Sequence, residues 1–519
     1  MALVTLTDLY SNLGPWPGNL FSASDGVTIG AHTATSFSYT YAAGTKFAGF
    51  SVTSTGVGFA YDGSTPIGGS MRGLTITDAT GHLVLNVSGI AAGSLASDLA
   101  LFVSYEFGWT DPGGGGTGAQ VKNAWSQLLS SNDTYTGTSG NDRQGMVGVD
   151  AGNDTFNMGA GDDRVNGGLG NDTINGGDGY DTLDYGQTHW NEGIPMVRGI
   201  TVDVATGTVL DPYGFTDHFT GIEQIQGSSA SDLFTGAGAG MMFEGLRGSD
   251  TIIAGTGDDW AIYQDDTWFG GSRGIIVNLQ NALSGTDILG TIRDGFGNLD
   301  HTVNLRSVGG TRYDDTFTGS SVGNSFAGGE GKDSYNGGGG FDWVDFDWNF
   351  TGATQHGIIV NLKLLTGKIV DDGYGNTENA VSIENIWGSH QDDRITGSLG
   401  TNTITGNDGN DTMTGGGGHD VFQWERTFEL GDLDIITDFR GAAGVEQDVL
   451  RFHISSWGQS TTLHLVNGTT ATTAEDTFLF NSADHSLSWD ADGTGAQAAI
   501  HIATLNNVLA LNAANFDLF

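Results

Sequence analysis

GGLGNDTINGGDGYDTLDYG, residues 167–186, holds two nonapeptides in a row, each reading Gly-Gly-x-Gly-x-Asp-x-apolar-x. The pattern runs in fixed phase on both sides of this stretch. Asp154, Asp163, Asp172 and Asp181 stand nine residues apart, and two residues after each comes an apolar side chain: Phe156, Val165, Ile174 and Leu183. Asp142, in GTSGNDRQG, reads as an earlier turn offset by a three-residue insertion. A solvated linker has no reason to hold such a phase, so the repeat marks structure.

Three more blocks follow. The second carries Asp232, Asp250 and Asp259, with Met241 where another aspartate would fall. The third carries Asp315, Asp333 and Asp342 around Asn324, and the fourth Asp393, Asp411 and Asp420 around Asn402. The second turn is the degenerate one in all three, which points to duplication of a larger unit. The spacers agree: GITVDVATG (199–207), GIIVNLQ (274–280) and GIIVNLKLLTG (357–367) are each followed by an Asp-x-aromatic-Gly turn at Asp211, Asp294 or Asp372. GIEQIQGS (221–228) and SIENIWGS (382–389) lead into the next block, with the less regular VNLRSVGG (303–310) between them. The larger unit is therefore roughly 80 residues, and repetition of this kind predicts a solenoid.

The chemistry of one nonapeptide is readable. Its glycines permit a hexapeptide turn with positive φ and leave carbonyls uncovered. The three residues after the turn make a very short strand whose one apolar side chain points inward. Carbonyls and an aspartate carboxylate form a hard oxygen site of the kind Ca²⁺ takes. One turn supplies half of a site. Two nonapeptides make one coil, so the stacked partner of Asp154 is Asp172, and multiple Ca²⁺ ions are expected. The candidate ligands are Asp142, Asp154, Asp163, Asp172, Asp181, Asp232, Asp250, Asp259, Asp315, Asp333, Asp342, Asp393, Asp411 and Asp420.

GGLGNDTIN and GGDGYDTLD resemble the repeats of the RTX (repeats-in-toxin) calcium-binding family, whose nonapeptide is a known Ca²⁺-binding β-helix motif. The resemblance covers roughly residues 137–519. It implies a parallel β-roll with ions between stacked turns, and export from Gram-negative bacteria by type I secretion machinery with an uncleaved C-terminal signal. Among such proteins the chain is similar to non-enzymatic surface-layer and matrix members.

Composition agrees. Acidic residues number 61 against 18 basic ones, a formal net charge of -43. That balance excludes nucleic acid as a partner, because little here could neutralise phosphates. It also opposes compaction unless cations bind. The 519 residues include 87 glycines and no cysteine, so metal takes the place that disulfides hold in many secreted proteins. MALVTLTDLYSNLG has neither the basic nor the apolar segment of a signal peptide. No apolar run reaches the ~20 residues of a membrane span.

The two ends differ from the middle. Residues 1–130 alternate apolar with polar or small residues in SFSYTYAAG, GFSVTSTGVGFAY, GLTITDATG and HLVLNVSGI, which predicts an antiparallel, sandwich-like β module. Residues 96–107 and 119–131 could add one or two helices, and DPGGGGTG (111–118) reads as a linker. Residues 131–425 make the roll with its four blocks and three spacers. Residues 426–519, with DLDIITDF, DVLRF, DTFLF and SLSWDADGTGAQAAIHIATL, make a C-terminal β cap and secretion-signal region. The fold class expected is all-β.

Motifs of catalysis are missing. The 12 histidines form no HExxH and no i, i+4 pair, and no Gly-x-Ser-x-Gly is present. Glu223 and Glu384, in the two IE-x-I segments, could be glycosidase acids but read better as spacer residues of a duplicated unit. Trp190, Trp260, Trp268, Trp343, Trp348, Trp387 and Trp424 lie near block edges, where they could stack on sugars but read better as plugs of the block–spacer junctions. The sequence therefore reads as a secreted, calcium-dependent structural protein without enzyme activity, whose partner is itself, in a surface layer, filament or biofilm matrix. The alternative is a calcium-stabilised adhesin that binds cell-surface polysaccharide; a polysaccharide-acting enzyme is third.

Overall fold

A nonapeptide leaves room for one apolar side chain between a Gly-rich turn and the next, so its strand stops after about three residues. The computed structural model shows this in the second, third and fourth blocks, while Thr155–Ala160 and Thr173–Asp178 of the first block run to six residues. It describes residues 152–186, 197–238, 240–280, 287–347, 356–365, 368–425, 432–441, 446–453 and 462–519, with the backbone of strands at Leu3–Leu6, Val27–Thr33, Ser36–Tyr41, Ser51–Asp62, Thr65–Thr77, Leu83–Ser88, Thr134–Thr136 and Leu283–Ser284. The chain divides into two compact units, Met1–Asp250 with Gly255–Gly257, and Thr251–Ala254 with Asp258–Phe519. Strands dominate both, and no α-helix occurs among the described residues. The protein is all-β, with a parallel β-roll. The helices expected at 96–107 and 119–131 lie outside the described residues, as do Asp142, Trp190 and Trp348.

In the first unit the roll has two faces, each built from strands two nonapeptides apart. Thr173–Asp178 lies parallel to Thr155–Ala160 with Ile174 opposite Phe156, and Thr182–Asp184 lies parallel to Arg164–Val165 with Leu183 opposite Val165. These four side chains are buried as the core. The turns need glycine: Gly170 sits at φ 144°, and a Cβ there would stand 1.5 Å from the carbonyl oxygen of Gly152 one coil below. The spacer continues both faces. Thr216–Thr220 stacks on Thr173–Asp178, and Gln224–Gln226 stacks on Thr182–Asp184. The first face then gains a hairpin, Thr208–Leu210 antiparallel to Thr216–Thr220 and to Thr201–Asp203, before the next block resumes at Leu233–Thr235. The second face passes without insertion to Met242–Glu244.

The N-terminal strands form one antiparallel sheet in the order Val27–Thr33, Ser36–Tyr41, Ser51–Asp62, Thr65–Thr77, Leu83–Ser88, Leu3–Leu6. Of the sandwich expected there, this one sheet is described. Leu3–Leu6 also pairs in parallel with Thr134–Thr136, which pairs with Thr155–Ala160, so the sheet hydrogen-bonds directly into the roll.

The second unit repeats the scheme. One face stacks Trp260–Ile262, Ser307–Gly309, Ser325–Ala327, Trp343–Asp345, Asn385–Trp387, Thr403–Thr405, Val421–Trp424, Val449–Phe452 and Phe516–Leu518, all parallel. Inside, Phe317 stacks on Tyr335 with centroids 5.2 Å apart. The last coils are closed by Thr477–Asn481, Ser486–Asp490 and Ile500–Leu505, an antiparallel meander. Phe478 anchors it against Phe452, Trp489 and Phe516 at 4.8, 4.7 and 5.0 Å. This covers the apolar end that a solenoid would otherwise expose.

Candidate metal centre

Each repeat aspartate directs its carboxylate back into its own turn and across to the preceding coil. Oδ1 of Asp172 accepts the backbone N–H of Asp154 (2.7 Å), and Oδ1 of Asp181 accepts that of Asp163 (2.8 Å). The same bond joins Asp250 to Asp232, Asp333 to Asp315 and Asp411 to Asp393, at 2.7–2.8 Å. Every repeat aspartate expected from the sequence and described here, from Asp154 to Asp420, is buried. The eighteen-residue stacking of Asp172 on Asp154 is therefore seen as a direct hydrogen bond.

The second carboxylate oxygen divides these residues into two kinds. In Asp172, Asp181, Asp342, Asp411 and Asp420, Oδ2 is buried without a hydrogen-bond partner. In Asp232, Asp315 and Asp393, the first aspartates of the later blocks, both oxygens are engaged. Asp393 accepts Ile358 N (2.7 Å), Ser389 N (2.6 Å) and Ser389 Oγ (2.7 Å), and Ser228 and Thr311 serve Asp232 and Asp315 in the same way. Four residues upstream stand Ser228, Thr311 and Ser389, where Asp172, Asp181, Asp342 and Asp420 have glycine and Asp411 has Asn407. In these turns the backbone N–H of Ser228, Thr311 or Ser389 takes up Oδ2, and the hydroxyl adds a bond to Oδ1.

Burial raises the proton affinity of these groups. Burial, with the charges of Asp217, Asp154 and Asp211, lifts Asp172 to about 8. Burial, with Asp434 and Asp393, lifts Asp411 to about 10. Asp420 rises to about 7 and Asp342 to about 6, again mainly by desolvation. Orphaned buried oxygens on crowded carboxylates, beside turns of bare backbone, form an all-oxygen donor set that suits a hard divalent cation. The residues fit Ca²⁺. Asp172, Asp181, Asp342, Asp411 and Asp420 would hold it, and a bound ion would supply the positive charge that the turns lack.

Sequence reasoning missed the residues that carry this ladder through the spacers. Asp172 N donates to Asp217 Oδ1 (3.0 Å) and Asp181 N to Glu223 Oε2 (2.8 Å). In the second unit Asp333 N donates to Glu378 Oε1 (2.9 Å), Asp342 N to Glu384 Oε2 (3.1 Å), Asp411 N to Asp434 Oδ1 and Asp420 N to Asp448 Oδ1 (3.0 Å each). Glu223 and Glu384 thus bind backbone as stacking residues. A signal was present, since Asp217-x-Phe219, Glu223-x-Ile225 and Glu384-x-Ile386 keep the acid-x-apolar register of the repeats. A second ladder on the residue before the aspartate was also missed: Asn153, Asp162, Asp314 and Asp392 each accept a backbone N–H from the next coil at 2.9–3.0 Å.

Residues 149–183, 243–262, 309–344 and 387–422 match the family model described as the RTX calcium-binding nonapeptide repeat, in four copies. The fold is a parallel β-roll, and over these four stretches the chain carries the calcium-binding repeats of the RTX family. No curated protein matches the chain. Among the described residues no helix is long and apolar enough to cross a membrane.

Proposed function

We propose that this is an extracellular structural protein whose roll folds when calcium binds and which then assembles with copies of itself at a cell surface, as a layer, filament or matrix component, after export by type I secretion machinery. It has no catalytic role on this reading. The observation that carries it is the run of buried carboxylates with orphaned oxygens, which makes the compact state depend on an outside cation. At the ~10⁻⁴–10⁻³ M affinities of extracellular modules, the chain stays unfolded in a cytosol and folds outside.

Assembly rests on open strand edges. Among the described residues Val27–Thr33 pairs only with Ser36–Tyr41, and Phe516–Leu518 pairs only with Val449–Phe452. Two different strands, each with one pairing among the described residues, favour head-to-tail contacts, which propagate. Full-length protein should form ordered assemblies in millimolar Ca²⁺, at the ~10⁻³ M end of such sites, as read by light scattering and electron microscopy. A chain lacking residues 1–130 should fold with calcium but not form the same assemblies. Full-length protein that stays monomeric at saturating calcium would overturn the reading. Glycan binding, the second reading, is favoured by Trp343 and Trp387, half-buried and packed at 5.9 Å. Binding of surface polysaccharide by a monomer would then bring it forward.

A further inference from the structure

The three spacers bury acids that no nonapeptide turn requires. In the first, Asp211 Oδ1 closes its turn by accepting N–H groups of Tyr213, Gly214 and Phe215, while Oδ2 is buried without a hydrogen-bond partner. Six residues on, Asp217 Oδ2 accepts the hydroxyl of Tyr185 (2.7 Å). Asp211, Asp217 and Asp172 are fully buried, and all three act electrostatically on Tyr185.

The second spacer makes the same arrangement. Asp294 accepts Phe296 N and Asn298 N, and Asp300 Oδ2, again six residues on, accepts the hydroxyl of Tyr263 (2.9 Å). The third acid here is Asp266, fully buried; its Oδ2 accepts Gly295 N from the turn, and its Oδ1 is orphaned. In the third spacer Asp372 accepts Tyr374 N and Asn376 N, and Glu378 stands six residues later, 1% exposed, with Oε2 orphaned. Tyr185 and Tyr263 each lie four residues after a block's last aspartate. Phe346 stands at that place before the third spacer and has no donor. There the hydroxyl comes from Tyr335, inside the roll, and Glu378, Asp333, Asp315 and Asp372 all act on it.

We propose that each spacer binds its own hard divalent cation, of the calcium class, where its turn aspartate, the acid six residues later, a third carboxylate and a tyrosine hydroxyl converge. Three carboxylates buried together must be neutralised. One shared proton serves only a facing pair and leaves two negative charges behind, whereas a divalent ion leaves one and can be reached by all three carboxylates. The tyrosines suit it too: burial and the neighbouring carboxylates hold the Tyr185 and Tyr335 hydroxyls well above their ordinary range, so each stays a neutral oxygen. The arrangement survives changes of residue, Asp for Glu and one tyrosine position for another, while at least three carboxylates gather about one hydroxyl in the first and third spacers. Asp172 and Asp333 are shared with the Gly-rich turns, while Asp211, Asp217, Asp266, Asp294, Asp300, Asp372 and Glu378 lie outside them.

The test counts ions on the full-length chain. Bound Ca²⁺ is measured by equilibrium dialysis and elemental analysis at saturating calcium, for the unaltered protein, for Asp211→Asn, Asp266→Asn and Glu378→Gln singly, and for the triple variant. Each amide keeps a hydrogen-bond acceptor while removing a charge. Each single variant should lose one ion and the triple variant three, with unchanged far-ultraviolet circular dichroism. An unchanged count in the folded triple variant overturns the proposal. Infrared spectra of the unaltered protein decide independently if a variant does not fold. No protonated-carboxyl band is expected at saturating calcium, and a persistent band lost in Glu378→Gln would show that a proton, not a cation, neutralises the cluster. Asp181→Asn reports on the turn sites separately, so either set of sites can fail alone.

Discussion

The nonapeptide blocks and the spacers solve one problem with different residues. Within a block, a single residue type recurring every eighteen positions closes coil on coil, and glycine keeps the turn bare. In a spacer the same backbone N–H groups are met by Asp217, Glu223, Glu378 or Glu384, while a hairpin is inserted on one face only. Glutamate is one methylene longer and reaches the ladder from a backbone without the glycine turn. Through the first and third spacers the ladder is therefore continuous in hydrogen bonding where it is discontinuous in sequence, and these spacers are coils in their own right.

The largest effect should come from removing calcium. If the blocks depend on the ion, chelation should abolish most strand signal, because binding free energy is then folding free energy. Circular dichroism that is unchanged in EDTA would break the comparison at its root. Next come the two kinds of turn within the blocks. Asp411→Ala should lower the count of bound calcium. Asp393→Ala should leave that count unchanged yet strand buried N–H donors, at about 1–3 kcal/mol each, read by thermal unfolding. Equal loss of ions from both variants would erase the distinction between open and hydroxyl-closed turns.

Protons should compete with calcium. The folded-state values near 6 for Asp342, 7 for Asp420 and 8 for Asp172 lie above the ~3.9 of an unfolded aspartate, so the calcium-free fold binds more protons than the unfolded chain. Its stability is then full below about pH 4 and is lost as pH rises through about 6 to 8. Calcium-free protein should regain strand signal as pH is lowered from 8 to 5, and calcium binding at pH 7 should release protons, measurable by calorimetry in two buffers. A calcium-free strand signal that rises with pH would contradict the burial of these carboxylates. The smallest effect belongs to the cap. Trp424 Nε1 donates to Asp434 Oδ2 (3.1 Å), so Trp424→Phe should cost about 1–3 kcal/mol without altering the ion count.

Much of this was legible in the sequence because the repeat couples two periods. The nine-residue phase names the buried apolar side chain, as at Ile174 and Leu183, and its doubling names the stacked partner, as at Asp154 and Asp172. Ser228, Thr311 and Ser389 stood in plain view four residues before their aspartates, but their effect depends on a hydroxyl folding back onto a carboxylate, which spacing alone does not disclose. Glu223 and Glu384 escaped for a different reason: the inserted hairpin destroys the nine-residue count, and only the acid-x-apolar register survives it. The clusters around Asp217, Asp300 and Glu378 were beyond reach, since they join residues as far apart as 45 positions through coil stacking.

Asn324 and Asn402 turn the degenerate second turn into something of its own. Each amide accepts the N–H and hydroxyl of Ser320 or Ser398 on its oxygen, and its nitrogen donates to a carbonyl of the coil before, at Arg306 or Glu384. An amide carries no charge and has no need of an ion. In a medium whose calcium rises gradually, the amide side of these rungs should close without waiting for the ion, which marks a register in the chain against a slip of one coil, the error to which a repetitive sequence is most exposed.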